Sequence, residues 1–478
     1  MGHADLDLCY ATATGIAELI RARKVSALEV TRNALARLDE VEPALNTFVH
    51  RDDEGALAMA KEADARLARG GDLPPLLGVP VSVKDLIEVG LQPCGYGSRT
   101  MSGYVAPTDA PSVARLRSAG MVILGKTTTS EFGYRGYTSS LVHGVTRNPW
   151  DTSRTPGGSS GGAASSVAAG VTPIALGTDG GGSIRAPCSF TNLIGIKPQF
   201  GRVPVFPASA TPTLAHVGPI ARSPEDARLL LSIIAGPDER DWTSLQPSLN
   251  FGAALPNLKR LRVAFSPTLG YASVYPEVAQ AVAMAVERIR AATPNIEEVN
   301  KVCEDPGEIL ATEFIAGCSA RLGSAVDLNP DDIDPPLLAA IRALRQRTVG
   351  DYAEVLRARF GFREHMRQFF ERYDVLLTPT TPAPAWKIGE NVPTGLENAK
   401  VWVFYTYPFN LTGQPAASVP CGFTREGLPI GLQVSVRPQA ETLLCELIQA
   451  YDRILGCSAQ RPPGFCRNSG VQIGNSTT

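Results

Sequence analysis

The sequence has no excess of charge: 45 Lys and Arg stand against 47 Asp and Glu, a formal net charge of -2. Without a basic surplus there is no electrostatic reason to expect nucleic acid or an anionic membrane as partner. It has no run of 18 apolar residues, so no spanning helix is expected. The opening MGHADLDLCYATATG lacks a basic start followed by an apolar stretch, which reads as cytoplasmic rather than secreted. On that reading the glycosylation sequons at Asn410 and Asn475 carry little weight. Cysteine is sparse, with nine residues and no Cys-x-x-Cys pair, which argues against a zinc site or a disulfide framework. Reduced, mostly buried thiols are the better expectation. Histidine is scarcer still: only His3, His50, His143, His216 and His365 occur.

What is present is ample apolar material. Of 478 residues, 44% are hydrophobic and 19% charged, enough for a large core. Gly 45 and Pro 38 without a short repeat imply many tight turns. Residues 1–70 read as a helical segment packed on the core. Ser26-Ala27-Leu28-Glu29 is a capping-box pattern, and Pro43 is expected to close the helix it opens. From 71 to 235, short apolar runs (Gly78–Val83, Met121–Leu124, Thr172–Leu176) alternate with Gly-rich turns and short helices. That alternation predicts an α/β fold, a sheet with helices on both faces. Residues 236–375 read as a mostly helical, more charged insertion. Strand texture returns over 376–460 before a last helix, and 461–478 looks like a loose tail. No Pro/Ser linker separates autonomous halves, so a single domain with an inserted helical region is expected.

Three stretches bear chemistry. In Val81-Ser82-Val83-Lys84-Asp85-Leu86, a lysine follows a β-branched run with no basic neighbour. It is either paired with Asp85, or reaches the surface, or is buried and neutral. A pKa shift of about three units costs about 4 kcal/mol, so a neutral lysine needs a reason. In Pro156-Gly157-Gly158-Ser159-Ser160-Gly161-Gly162, four glycines flank two serines. Such a turn lets a ligand approach the backbone, or is a flexible loop; it lacks the spacing of a phosphate-binding loop. In Gly177-Thr178-Asp179-Gly180-Gly181-Gly182-Ser183-Ile184-Arg185, three glycines precede a serine. The N–H groups of Gly180, Gly181, Gly182 and Ser183 form a candidate oxyanion hole, with Ser183 as candidate nucleophile. An ordinary Gly-rich turn is the plain alternative. A serine nucleophile needs a base. No histidine lies in a nucleophile-elbow context, and His216 reads as structural. Lysine remains, with Lys84 ahead of its rivals Lys126 and Lys197 because of its buried approach and the acid that follows it.

Together these motifs resemble the amidase signature family. The resemblance is dense from Gly78 to Val203, including Asn148-Pro149-Trp150 and Gly195-Ile196-Lys197-Pro198. It continues at His216-Val217-Gly218-Pro219 and Asn410-Leu411-Thr412-Gly413-Gln414-Pro415-Ala416. It implies a large mixed sheet and a Ser–Ser–Lys triad. Ser183 would be the nucleophile, Ser159 the bridging serine after a cis peptide bond, and Lys84 the terminal base. Asp179 and Arg185 match supporting positions, Ser160 a structural one, and Gly133 a position whose backbone faces substrate. The implied activity is hydrolysis of carboxylic amides, with esters and carbamates accessible to the same acyl-enzyme chemistry. The partner is a small-molecule amide; a homodimer is compatible, and no metal or organic cofactor is required.

Two activities compete within that resemblance: a stand-alone amidase, and the glutaminase subunit of a tRNA-dependent amidotransferase. The latter pattern places an aspartate shortly before Asn-x-x-Gly-x-Pro. In Val401–Phe409 that acid is missing and Val403 stands near its place. Trp386, Trp402, Phe404, Tyr405 and Tyr407 are candidates for an uncharged aromatic wall, or are plain core residues. A catalytically silent binding protein of the same fold is the remaining alternative.

Overall fold

The computed structural model describes residues 3–246, 249, 251, 257–390, 392–397 and 402–466. The tail expected over 461–478 therefore lies outside the described residues from 467 on, as do Val401 and Asn475.

Among the described residues thirteen strands form, in chain order: β1 (Phe48–Arg51), β2 (Pro80–Lys84), β3 (Val122–Thr127), β4 (Ser139–Ser140), β5 (Gly144–Val145), β6 (Ile174–Asp179), β7 (Ile194–Lys197), β8 (His216–Ala221), β9 (Val263–Phe265), β10 (Ile296–Glu298), β11 (Val375–Pro379), β12 (Ala416–Phe423) and β13 (Pro429–Val436). β4 and β5 make a small hairpin. The other eleven form one sheet in the order β1-β3-β2-β6-β8-β7-β12-β13-β11-β9-β10. β2 runs parallel to β3 and β6, and β9 runs parallel to β10 and β11. The other pairings are antiparallel, so the sheet is mixed.

Strand alternation decides what each face buries. Ile174 and Leu176 point into the main core, built with the helices Pro224–Ile234, Pro276–Ile289 and Glu441–Leu455. Ala175 and Ile220 point the other way, onto the small-residue helix Gly161–Ala168 and onto Cys188 of the helix Arg185–Thr191. Helices thus cover both faces. β2, β3, β6 and β8 bury nearly every position, which explains their continuous apolar texture.

The Ser26 capping box forms with Glu29. The helix it opens does not stop at Pro43, however; it runs to Leu45 with the proline inside, and Asn46 ends it in the left-handed region. The span 236–375 holds the helices Gly307–Leu322, Pro335–Leu344 and Val349–Arg372, and also contributes β9 and β10 to one edge of the sheet. No helix among the described residues is long and apolar enough to cross a membrane. All nine cysteines are free, seven of them buried.

Candidate active site

The site forms where the parallel neighbours β2 and β6 end. Lys84 is the last residue of β2 and Asp179 the last of β6, so both strands deliver side chains to one edge. Carboxyl ends of adjacent parallel strands are the usual place for a site in an open α/β sheet.

Lys84 is fully buried. Its Nζ lies 2.7 Å from Ser159 Oγ, 2.8 Å from Ser160 Oγ and 2.9 Å from Thr178 Oγ1. It has no carboxylate partner among the described residues. Asp85, the next residue, points to the opposite face of the strand and pairs with Lys126 Nζ at 3.0 Å. Burial therefore drives the Lys84 pKa well below 10.5, against the weaker pull of Asp179. The two rival lysines are also fully buried but do other work. Lys126 stays charged: burial would lower its pKa, but Asp85 and Cys94 outweigh that. Lys197, pushed down by burial, donates to the carbonyls of Pro198 (3.0 Å) and Gln414 (2.6 Å) and meets no serine.

The peptide bond between Gly158 and Ser159 is cis. Ser160 ties the arrangement together: its hydroxyl donates to Thr178 O (3.1 Å) and its N–H donates to Ser183 O (3.2 Å). Ser183 is thereby held beside the 158–160 turn. Unlike Lys84 and Ser159 it is half-exposed, and it opens onto a cleft of about 580 Å³.

The glycine loop before Ser183 is pinned from beneath by Asp179. Its carboxylate accepts the N–H groups of Gly182 (2.7 Å) and Ile184 (3.2 Å). Arg185, fully buried, closes on the same carboxylate and also donates to Thr406 O (2.8 Å), Gln433 Oε1 (2.8 Å) and Asn410 Oδ1 (2.6 Å). Gly182 has φ +138, and a Cβ there would stand 2.2 Å from Thr406 Oγ1, so the loop requires glycine at that position. Gly133 has φ +74, and a Cβ there would come within 3.0 Å of Ser159 Oγ; it lines the cleft. His216 is buried in the same hub, its Nδ1 against Leu214 O (2.7 Å), with no serine in reach.

The cleft walls were only partly legible in the sequence. Of the five aromatics considered, Trp402 lines the cleft, 4.7 Å from Trp386 in an edge-on contact. Trp386, Phe404, Tyr405 and Tyr407 are buried core residues absent from its lining. The aromatic surface comes instead from Tyr134, Tyr137 and Phe314, and the wall is not uncharged, because Arg135, Glu308 and Arg347 also line it. Glu308 and Arg347 pair at 2.5 Å, and Arg135 pairs with Asp334 at 2.5 Å. Leu310 and Phe314, four residues apart on the helix Gly307–Leu322, stand over the glycine loop. Cβ atoms on Gly181 and Gly180 would lie 3.3 Å and 3.0 Å from them. That helix, GEILATEFIAGCSARL, carries apolar residues on several sides, and nothing in its sequence indicates that it crosses Ser183. Asn410, read in sequence as a sequon, is fully buried and holds Asp179 through two contacts of 2.8 and 2.9 Å. Val403 lines the cleft where an acid was sought.

Known proteins resemble this chain over nearly its whole length. The family model described as Amidase matches residues 29–445. The glutamyl-tRNA(Gln) amidotransferase subunit from Symbiobacterium thermophilum is 36% identical, over 94% of this chain and 98% of its own length. An acylamidase of Rhodococcus erythropolis is 32% identical, over 95% and 98%. Among solved structures, a bacterial aryl acylamidase of the amidase signature enzymes superposes with a TM-score of 0.86 at 27% identity, over 95% of this chain and 99% of the other. The mixed sheet, its helical layers and this full-length similarity place the chain in the amidase signature family of amide-bond hydrolases.

Proposed function

We propose that the protein hydrolyses carboxylic amides through a Ser183–Ser159–Lys84 relay and an acyl-enzyme. The observation that carries this reading is a fully buried lysine, without a carboxylate partner among the described residues, 2.7 Å from a serine hydroxyl. A neutral amine has two N–H donors and one lone pair. Ser160 Oγ and Thr178 Oγ1 accept the two donors, which leaves the lone pair for the Ser159 hydroxyl proton. Ser160 already spends its own proton on Thr178 O, so its oxygen is free to accept.

As Ser159 gives its proton to Lys84, it takes the proton of Ser183. The Ser183 Oγ then forms a bond to the amide carbonyl carbon. The carbonyl oxygen becomes an oxyanion facing N–H groups of the 180–183 loop, which Asp179 and Arg185 hold rigid. When the C–N bond breaks, Ser159 returns a proton to the departing nitrogen and Lys84 reprotonates Ser159. Water enters, loses a proton to the same relay, and releases the carboxylic acid. Gly133, against Ser159, leaves room for the substrate where a side chain would fill it.

Leu310, Phe314, Tyr137 and Trp402 favour an apolar or aryl group on the amide. Each charged lining residue has an ionic partner, Glu308 with Arg347 and Arg135 with Asp334 behind the wall, so the cleft suits a neutral substrate. The test is release of the aryl amine from a neutral anilide by wild type and Ser183→Ala. Loss of about 10⁴-fold or more in kcat is expected for the variant; equal rates would overturn the reading.

A second reading, a glutaminase subunit, rests on the similarity to amidotransferase subunits over the whole chain. Val403 in the cleft speaks against it, since an apolar side chain stands where the acid for the α-ammonium of glutamine is expected, and the cleft's Glu308 pairs with Arg347. Glutamine-dependent ammonia release with a copurifying second subunit would favour it.

A further inference from the structure

Three charged side chains line the cleft onto which Ser183 opens: Arg135, Glu308 and Arg347. They differ in how open they are. Arg135 is drawn back onto Asp334, and its side chain is 16% exposed. Glu308 and Arg347 stay open, at 38% and 42%. A substrate in this cleft therefore meets ionic charge chiefly at that pair.

The pair joins two helices of the 236–375 span. Glu308 sits in the first turn of Gly307–Leu322, and Arg347 directly precedes Thr348, which caps Val349–Arg372. Arg347 Nη2 lies 2.5 Å from Glu308 Oε1, and Nη1 donates to Thr312 Oγ1 at 3.0 Å. Glu308 and Thr312 are neighbours on one helix face, so the guanidinium is held at two points. The same helix sets Leu310 and Phe314 over the loop that bears Ser183. The two charges are thus fixed within a few residues of the side chains that stand over the reaction centre.

We infer that Glu308 and Arg347 set the charge selectivity of the cleft: amides with uncharged far ends are admitted, and those ending in a carboxylate or an ammonium are turned away. The inference takes its substrate class from the hydrolysis proposed at Ser183. A carboxylate that approaches Arg347 also approaches Glu308, and an ammonium meets the reverse. Neither sign gains unless the pair breaks, which is selection by repulsion as much as by attraction. With one partner removed, the other attracts the opposite charge. Salt screens that attraction, because both groups touch solvent.

Two measurements keep the chemistry and the selectivity apart. Turnover of acetanilide by wild type, and its loss in Ser183→Ala, tests the hydrolysis. Selectivity is read by calorimetry in Ser183→Ala protein, where turnover plays no part, as the affinity of a charged anilide relative to acetanilide. Succinanilate and 4-acetamidobenzoate carry a carboxylate on opposite sides of the amide; β-alanine anilide and 4-(aminomethyl)acetanilide carry an ammonium likewise. Glu308→Gln should raise the relative affinity of at least one carboxylate by about tenfold, and Arg347→Gln that of at least one ammonium. Both gains should shrink in about 1 M NaCl, where the Debye length is about 3 Å. The double variant should show neither gain. No gain in either single variant, a gain for the like-charged probe, a gain that persists in the double variant, or no binding of any probe would each overturn the inference. Ratios that shift as expected in a protein that hydrolyses no anilide would strike the chemistry and keep the selectivity.

Discussion

Asp179 and Arg185 meet twice beneath the glycine loop, Nη2 to Oδ1 and Nε to Oδ2, both at 2.9 Å and both with no solvent exposure. The same carboxylate takes the Gly182 N–H, so the pair fixes the backbone that faces the oxyanion. Removing one partner of such a pair leaves a buried charge uncompensated. Arg185→Met should lower the unfolding free energy by about 3–5 kcal/mol in urea titrations. An unchanged midpoint would mean the pair is dispensable.

The pair also has a pH signature. Burial opposes ionisation of Asp179, but Arg185 and Asn410 outweigh it and hold the carboxyl well below its ordinary 3.8. Between the folded value and 3.8 the unfolded chain carries the extra proton, so stability falls as pH falls through that window and is fully present above it. The acid decline should be shallower in Arg185→Met than in wild type.

On the proposed relay, Lys84 sets the pH dependence of activity. Only its neutral form can take the Ser159 proton, so kcat/KM should rise with pH through the folded pKa and level off well below 10.5. Thr178→Val removes an acceptor that an ammonium needs more than an amine does. The acid limb should move to lower pH and kcat should drop about tenfold, through loss of one charge-assisted hydrogen bond. An unmoved limb would place Thr178 outside the relay.

Gly182→Ala tests the loop itself. Its φ of +138 and the 2.2 Å approach to Thr406 Oγ1 leave no place for a methyl. A fall of about 100-fold or more in kcat with little change in KM is expected, because donors to the oxyanion are displaced.

Phe314→Ala and Trp402→Ala should raise KM for anilides of bulky aryl acids by about tenfold, the worth of one aromatic contact, and alter acetanilide far less. Equal effects on both substrates would place these rings outside the acyl pocket.

How much of this the sequence disclosed follows from where each signal resides. Lys84, Ser159 and Ser183 are marked by what surrounds them within a few residues, a buried strand or a run of glycines, and local signals survive folding. The same holds for β2, β3 and β6. Thr178 and Asn410 were legible as motif members, yet their contacts with Lys84 and Asp179 join segments 94 and 231 residues apart. Leu310 and Phe314 lie in a helix whose apolar residues are spread around it, which says that it is packed but not against what. Tyr405 and Tyr407 show the converse: aromatic composition suggests a pocket, and burial assigns both rings to the core. Pro43 stays within its helix although it removes the hydrogen bond to the carbonyl four residues back, a local cost that the proline stop signal alone does not weigh against packing.

The helix Gly307–Leu322 lays its apolar side chains over a reaction centre borne entirely by other segments. Appetite and chemistry therefore sit on separate pieces of polypeptide. On the proposed mechanism, drift in that one helix would redirect the enzyme to new amides while Lys84, Ser159 and Ser183 beneath it go untouched.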